Sequence, residues 1–274
     1  MPDLSVVRVP AANIIGMLVS TAISVLLPIA LMIIWRVKTK AKLIWAVVGM
    51  GTFIVVAIIA ESFVNNLVCI GTGMVNISGE VLKPVAYCIY GGCAAGLFEE
   101  LGRFFAMKIF KSRVVDKKNS IMYGIGHGGF EAMFLVGTAM ISNFAITAVI
   151  NSGQGHTLLK AVPNEMKDAL YQQISPLWTS APSDFYAGGV ERIGAIALHI
   201  CLSYIVYLAI SKNDLKYLLL AFLIHALVDF LTVYAATIWK LGTWEIEIGL
   251  LVLVGIIAYF VINAYKKDLN YSEG

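Results

Sequence analysis

Charge is scarce in this chain. Of its 274 residues only 14% are Asp, Glu, Lys or Arg, while 59% are hydrophobic. Soluble domains carry about a quarter charged residues, so a water-facing globule is excluded. The 20 basic and 17 acidic residues leave a net charge of +3, too small to imply a nucleic-acid partner. Cysteine is also sparse. Cys69, Cys88, Cys93 and Cys201 show no CxxC or metal-ligand spacing, so they define no redox compartment. Cys69 and Cys88 flank one short loop and could pair, but unpaired helix cysteines are expected. Two catalytic signatures are absent. There is no HExxH, which removes the common zinc-protease spacing, and no GxSxG, which removes the usual signal of a serine nucleophile. The N-terminal MPDLSVVRVPAANIIG lacks a basic leader and a small-residue cleavage site, so the first apolar run reads as a retained helix.

Long apolar runs are what the chain has in abundance. Several reach the roughly 20 residues that span a bilayer. The fold class expected is all-α: a polytopic transmembrane helix bundle of about seven spans forming one membrane domain over residues 1–274, with no separate soluble domain. The spans fall at about 13–35, 43–68, 84–107, 120–149, 188–210, 217–239 and 244–265. The basic residues alternate with them. Arg36, Lys38, Lys40 and Lys42 follow the first span. Lys108, Lys111, Arg113, Lys117 and Lys118 follow the third, Lys212 and Lys216 the fifth, and Lys266 and Lys267 the seventh. By the positive-inside rule these loops are cytoplasmic, which requires an odd number of crossings with the N-terminus outside and the C-terminus in the cytoplasm. The longest loop, roughly 150–187, is then outside. It could form a lid or interfacial helix, or be a plain connector.

Ionisable residues within such spans are costly and mark a bundle interior or a wet cavity. At about 1.5 Å per residue, Glu99 and Glu100 lie roughly 12–14 Å from the cytoplasmic end of their span. His127 lies about 10 Å in, Glu131 about 17 Å, His199 about 18 Å, His225 about 14 Å and Asp229 about 20 Å. Four helices thus place acids or imidazoles at a common depth in the cytoplasmic half. Glu99 and Arg103, His127 and Glu131, and His225 and Asp229 are each four residues apart and share a helix face. Arg103 can keep one glutamate ionised while the other acts as a base. A carboxylate one turn from an imidazole can fix its tautomer. The glycines of YGIGHGGFE (123–131) and YGGCAAG (90–96) allow close helix approach and leave room for substrate or water. Singly, the Glu99–Arg103 and His225–Asp229 pairs are equally well explained as structural, and His127 and His199 are better explained by packing; the shared depth favours a site. Glu61, Asn65 and Asn66 read as structural, toward the outer end of the second span. Glu191 and Arg192 read as reaching the outer interface, and Glu245 and Glu247 as the boundary of the last span.

Two carboxylates and two or three histidines suit the activation of water for hydrolysis. A glutamate would take the proton, and the histidines and Asp229 would steady the water or a developing oxyanion. The same groups could hold Zn²⁺, with Glu99, His127, His199 and His225 as donors. The spacing leaves a metal site and a metal-free glutamate site both open.

EELGR (99–103), then FE (130–131) beside His127, then HALVD (225–229) resemble the motifs of an intramembrane protease superfamily. It includes the type II CAAX prenyl endopeptidases, the ABI/CPBP proteins and PrsW. Within it, EELGRFFAMK followed by GIGHGGFEAMF is most similar to the YhfC family. The resemblance covers about 84–239. It implies that Glu99 is the base of the EE motif, Glu100 its partner and Arg103 the basic residue after them. Tyr123 to His127 resembles FxxxH with Tyr for Phe, so His127 would help hold the water. His225 and Asp229 resemble the HxxxN/D motif on the oxyanion side. Two departures separate the chain from the CAAX branch. The EE-to-Arg spacing is one residue shorter, closer to the EExxK of PrsW, and Glu131 resembles the FE motif of PrsW. The implied substrate is therefore a transmembrane or juxtamembrane peptide rather than a prenylated one. The implied location is a bacterial plasma membrane, and the oligomeric state stays open. Two other classes remain. One is a non-enzymatic scaffold, as the scaffold subunit of gamma-secretase is thought to be in this superfamily; the intact Glu99–Glu100 pair argues against it. The other is a proton- or ion-coupled transporter, which would more often show inverted repeats and a midplane site.

Overall fold

The computed structural model describes residues 3–76, 79–110 and 116–272, with side chains to 267. Lys111 and Arg113 of the basic series lie outside the described residues. The protein is all-α. Among the described residues the nearest thing to a sheet is one isolated antiparallel bridge between Val75 and Val81. Among the described residues six helices are long and apolar enough to cross a membrane: α1 (Ala11–Thr39), α2 (Ile44–Gly71), α4 (Lys117–Gln154), α8 (Asp184–Ser211), α9 (Lys216–Thr237) and α10 (Thr243–Ser272). A further long helix, α3 (Pro84–Ile109), has Pro84 at its first position, where the missing N–H costs nothing. Its 26 residues suffice in length. Glu99, Glu100 and Arg103 are what dilute its apolar character, and all three are buried. The long helices begin and end within a few residues of the spans expected from sequence, except that α4 runs on to Gln154 and α10 to Ser272.

The chain forms two compact units. The first comprises Met1–Leu27 and Ala132–Ile193. Its core is Leu4, Val9, Met17, Ile150, Ile174, Leu177 and Phe185. The stretch expected as an outer loop contains three short helices, α5 (His156–Lys160), α6 (Asn164–Ile174) and α7 (Pro176–Thr179). It is no plain connector: Ile174 and Leu177 are buried, and Asn13 Nδ2 donates to the Leu177 carbonyl at 2.9 Å. Asn151 Oδ1 accepts from the Val9 amide at 2.7 Å. Arg192 is buried here and paired with Glu191, rather than reaching an interface.

The second unit comprises Pro28–Glu131 and Gly194–Gly274 and holds every candidate site residue. The first half of α4 runs through it, and each residue from Asn119 to Gly129 is buried. Glycine makes this possible. A Cβ at Gly124 would lie 2.7 Å from Ile200 Cα, and one at Gly128 would lie 2.9 Å from His199 Cβ. At Gly126 a Cβ would overlap Ala46 of α2. On α3, a Cβ at Gly92 would lie 2.5 Å from the Ala226 carbonyl of α9. Such small-residue contacts replace the hydrophobic effect as the source of helix association in lipid. Large apolar side chains point outward along α10, including Val252, Tyr259 and Phe260.

Candidate active site

Four helices deliver the polar groups: α3 brings Glu99, Glu100 and Arg103, α4 brings His127 and Glu131, α8 brings His199, and α9 brings His225 and Asp229. Glu99, Glu100, Arg103, His127, His199 and His225 are buried. Glu131 and Asp229 are partly open, with Asp229 34% exposed.

The groups form two connected layers. In the first, Glu99 Oε2 lies 2.9 Å from His127 Nε2 and 3.8 Å from His199 Nδ1. The His127 and His199 rings are 4.9 Å apart. His199 Nε2 meets Glu131 Oε2 at 2.5 Å. Phe53 packs edge-on against His127 at 5.4 Å, and Tyr123 stacks on it at 6.0 Å. In the second layer, Glu100 Oε1 forms an ion pair with Arg103 Nη1 at 3.4 Å and lies 2.8 Å from His225 Nδ1. His225 Nε2 turns to Asp229 Oδ2 at 3.5 Å. Arg103 joins the layers: its Nη2 lies 2.9 Å from His199 Nδ1, and its Nη1 lies 3.4 Å from the His199 carbonyl.

The nearest carboxylate to Arg103 is Glu100, three residues away, not Glu99 at four. One glutamate is thus tied to a guanidinium, and the other faces imidazoles. Both spacings lie on one helix face, so sequence alone could not choose between them.

Glu99, His127 and His199 each offer a ligand atom, and these atoms lie within 4.8 Å of one another. Carboxylate oxygen and imidazole nitrogen are ordinary zinc donors. Glu131 against His199 is the carboxylate–histidine pairing that orients metal ligands. His127 Nδ1 is buried with no hydrogen-bond partner among the described residues, whereas its Nε2 faces Glu99. One contact opposes a metal here. Arg103 Nη2 donates toward the same His199 nitrogen that faces Glu99, so ligation there displaces that hydrogen bond. The residues fit a divalent metal held by Glu99, His127 and His199. His225, the fourth donor expected, has both ring nitrogens directed at carboxylates in the second layer.

Sequence reading placed Glu61 away from this cluster. It is instead buried, and within electrostatic reach of Glu99, His225 and Asp229. Asn65 Nδ2 donates to it at 3.1 Å, and the Tyr90 hydroxyl donates to Asn65 Oδ1 at 2.8 Å. Glu61 ends a π-helical segment of α2, Ile54–Glu61. The sequence reading set Glu61 aside on depth, toward the outer end of its span, and that depth does not take it out of electrostatic reach of Glu99.

Residues 23–250 match the YhfC intramembrane metalloprotease family. The chain belongs to the YhfC family. It is 33% identical over 259 residues to a Bacillus subtilis (strain 168) protein named "Uncharacterized membrane protein YhfC", covering 92% of this chain and 96% of that one. No solved structure matches. The family and the six apolar helices together make this an integral membrane protein, in a family described as metalloproteases, with a buried Glu/His/His group compatible with a metal.

Proposed function

We propose that this YhfC protein is an intramembrane endopeptidase of a bacterial plasma membrane that hydrolyses membrane-associated protein or peptide substrates, using a water activated at Glu99. The observation that carries this reading is that one oxygen of Glu99 faces imidazoles from two other helices, at 2.9 and 3.8 Å. A structural ion pair needs one partner; two imidazoles around one carboxylate make a convergent site.

The roles divide between the layers. Glu99 takes the proton from water. His127 orients Glu99 and the water, and Glu131 fixes the His199 ring. Glu100 pairs with Arg103, which keeps the guanidinium beside the site. Glu100 also fixes His225 Nδ1, and Nε2, which turns to Asp229 on the partly open side, would exchange that contact to donate toward the substrate carbonyl oxygen. In a metal-bound form Glu99 would serve as a ligand rather than as the free base, and zinc or a similar ion held by Glu99, His127 and His199 would supply Lewis acidity toward water and carbonyl.

The basic loops support seven crossings, with α3 as the one that carries the acids, the N-terminus outside and the C-terminus cytoplasmic. The site then lies in the cytoplasmic half of the bilayer. A groove of about 330 Å³ between α3 and α9, lined by Gly96, Leu97, Leu101, Leu218 and Phe222, reaches Glu100. It offers an apolar peptide side chain a way in beside the charged residues.

The test compares membranes holding wild type with membranes holding Glu99→Gln at equal protein level. New peptide termini are mapped by mass spectrometry. Termini seen only with wild type are expected. Identical termini from both folded proteins would overturn the proposal and favour a scaffold.

A further inference from the structure

A second feature of the larger unit lies away from the Glu99 site. Helices α1, α4, α8 and α10 leave a groove of about 460 Å³ between them, lined by Trp35, Ile121, Ala197, Ile200, Cys201, Ala258, Val261, Ile262, Tyr265 and Lys266. Lys266 apart, its lining is apolar or aromatic. Small side chains at Ala197, Cys201 and Ala258 create the space. Along α10 it runs from Ala258 to Lys266, about 12 Å, close to the hydrocarbon depth of one leaflet, roughly half of 30 Å.

One end is polarised. Lys117 Nζ lies 5.8 Å over the Tyr265 ring, and Lys266 follows Tyr265 directly. Trp35 meets Tyr265 edge-on at 6.4 Å, with its Nε1 donating to the Lys118 carbonyl at 2.8 Å. Trp35 therefore presents a ring, not a donor, to the groove. Among the described side chains the acid at this end is Asp116, which is 3.9 Å from Lys118. Aromatic rings with lysines beyond them are the pattern of a headgroup boundary, and basic pockets between membrane helices select anionic headgroups.

We propose that this groove binds an anionic phospholipid, with one acyl chain along Ile200, Cys201 and Val261 and the phosphate at Lys117 and Lys266. Charge decides the headgroup. A zwitterionic lipid brings its own ammonium to lysines, whereas a phosphodiester with an uncharged alcohol does not. Shape decides against a helical segment: a helix is about 10–12 Å across and does not enter a groove of this volume.

The wild-type protein is reconstituted in nanodiscs of equal phosphatidylglycerol and phosphatidylcholine. The lipids it retains after transfer to detergent are then counted by native mass spectrometry. Wild type is expected to keep phosphatidylglycerol over phosphatidylcholine. The double variant Lys117→Gln/Lys266→Gln should lose that preference by about tenfold or more. Ala258→Phe, which fills the groove, should lower retention of both lipids. An unchanged lipid ratio in the double variant, unchanged retention in Ala258→Phe, or a second protein chain retained in place of lipid would overturn the proposal. A photoactivatable phosphatidylglycerol tests the wild type without substitution. It should crosslink to the peptides carrying Cys201 and Val261, and labelling confined to other segments would refute the site.

Discussion

Glu131 Oε2 lies 2.5 Å from Nε2 of His199, so the ring is pinned from the α4 side and its Nδ1 is directed toward Arg103 and Glu99. Glu131 therefore acts through His199. Glu131→Gln should lower substrate cleavage by about 10–100-fold, the usual effect of removing a partner that orients a histidine ligand. Glu99→Gln, which removes the proton acceptor itself, should lower it by about 10²–10⁴-fold. Initial rates on a substrate identified by terminus mapping would rank the two. Equal losses would remove the distinction between them.

Metal content separates the two forms of water activation. Purified wild type should carry about one divalent ion per chain by elemental mass spectrometry, and His127→Ala and His199→Ala should carry much less. A chelator should abolish cleavage, and added zinc should restore it. Cleavage by fully metal-stripped protein would assign the chemistry to Glu99 without a metal.

Arg103 supports two chains of contacts at once, to Glu100 and to both the ring and the carbonyl of His199. Arg103→Ala leaves Glu100 buried beside His225 alone. A cost of about 3–5 kcal/mol is expected when one partner of a buried ion pair is removed. Arg103→Lys should recover only part of it, since an ammonium lacks the planar fork that spans both partners. Thermal unfolding in detergent measures both.

The glycines should sort by their neighbours. Gly124→Val forces a side chain into Ile200 of α8 and should prevent recovery of monodisperse protein. Gly51→Ala places a methyl where nothing lies within 4 Å and should be neutral or slightly stabilising, as alanine is the better helix former. Size-exclusion profiles at equal expression compare them.

Much of this arrangement could be read in the chain. Apolar runs set the helices, and counting from the basic loops put His127, His199, His225 and the glutamates at one level. The structure does bring those side chains together. Part of what could not be read depended on rotation. Glu99 and Glu100 both stand within one turn of Arg103, and only packing against His127 and His225 decides which turns where. Glu61 escaped because its place toward the outer end of its span was read as taking it away from the cluster. The 150–187 stretch carries few long apolar runs, so nothing in it announced that Ile174 and Leu177 pack against the N-terminal residues.

The stretch from Asn119 to Gly129 has no exposed face. A substitution anywhere along it perturbs a neighbouring helix, whatever chemistry the residue performs. In a random mutagenesis screen scored on activity, this segment would light up as uniformly essential, with His127 indistinguishable from the glycines around it. Glu131 and Asp229, at partly open positions, are where a screen can tell a reacting group from a packing one.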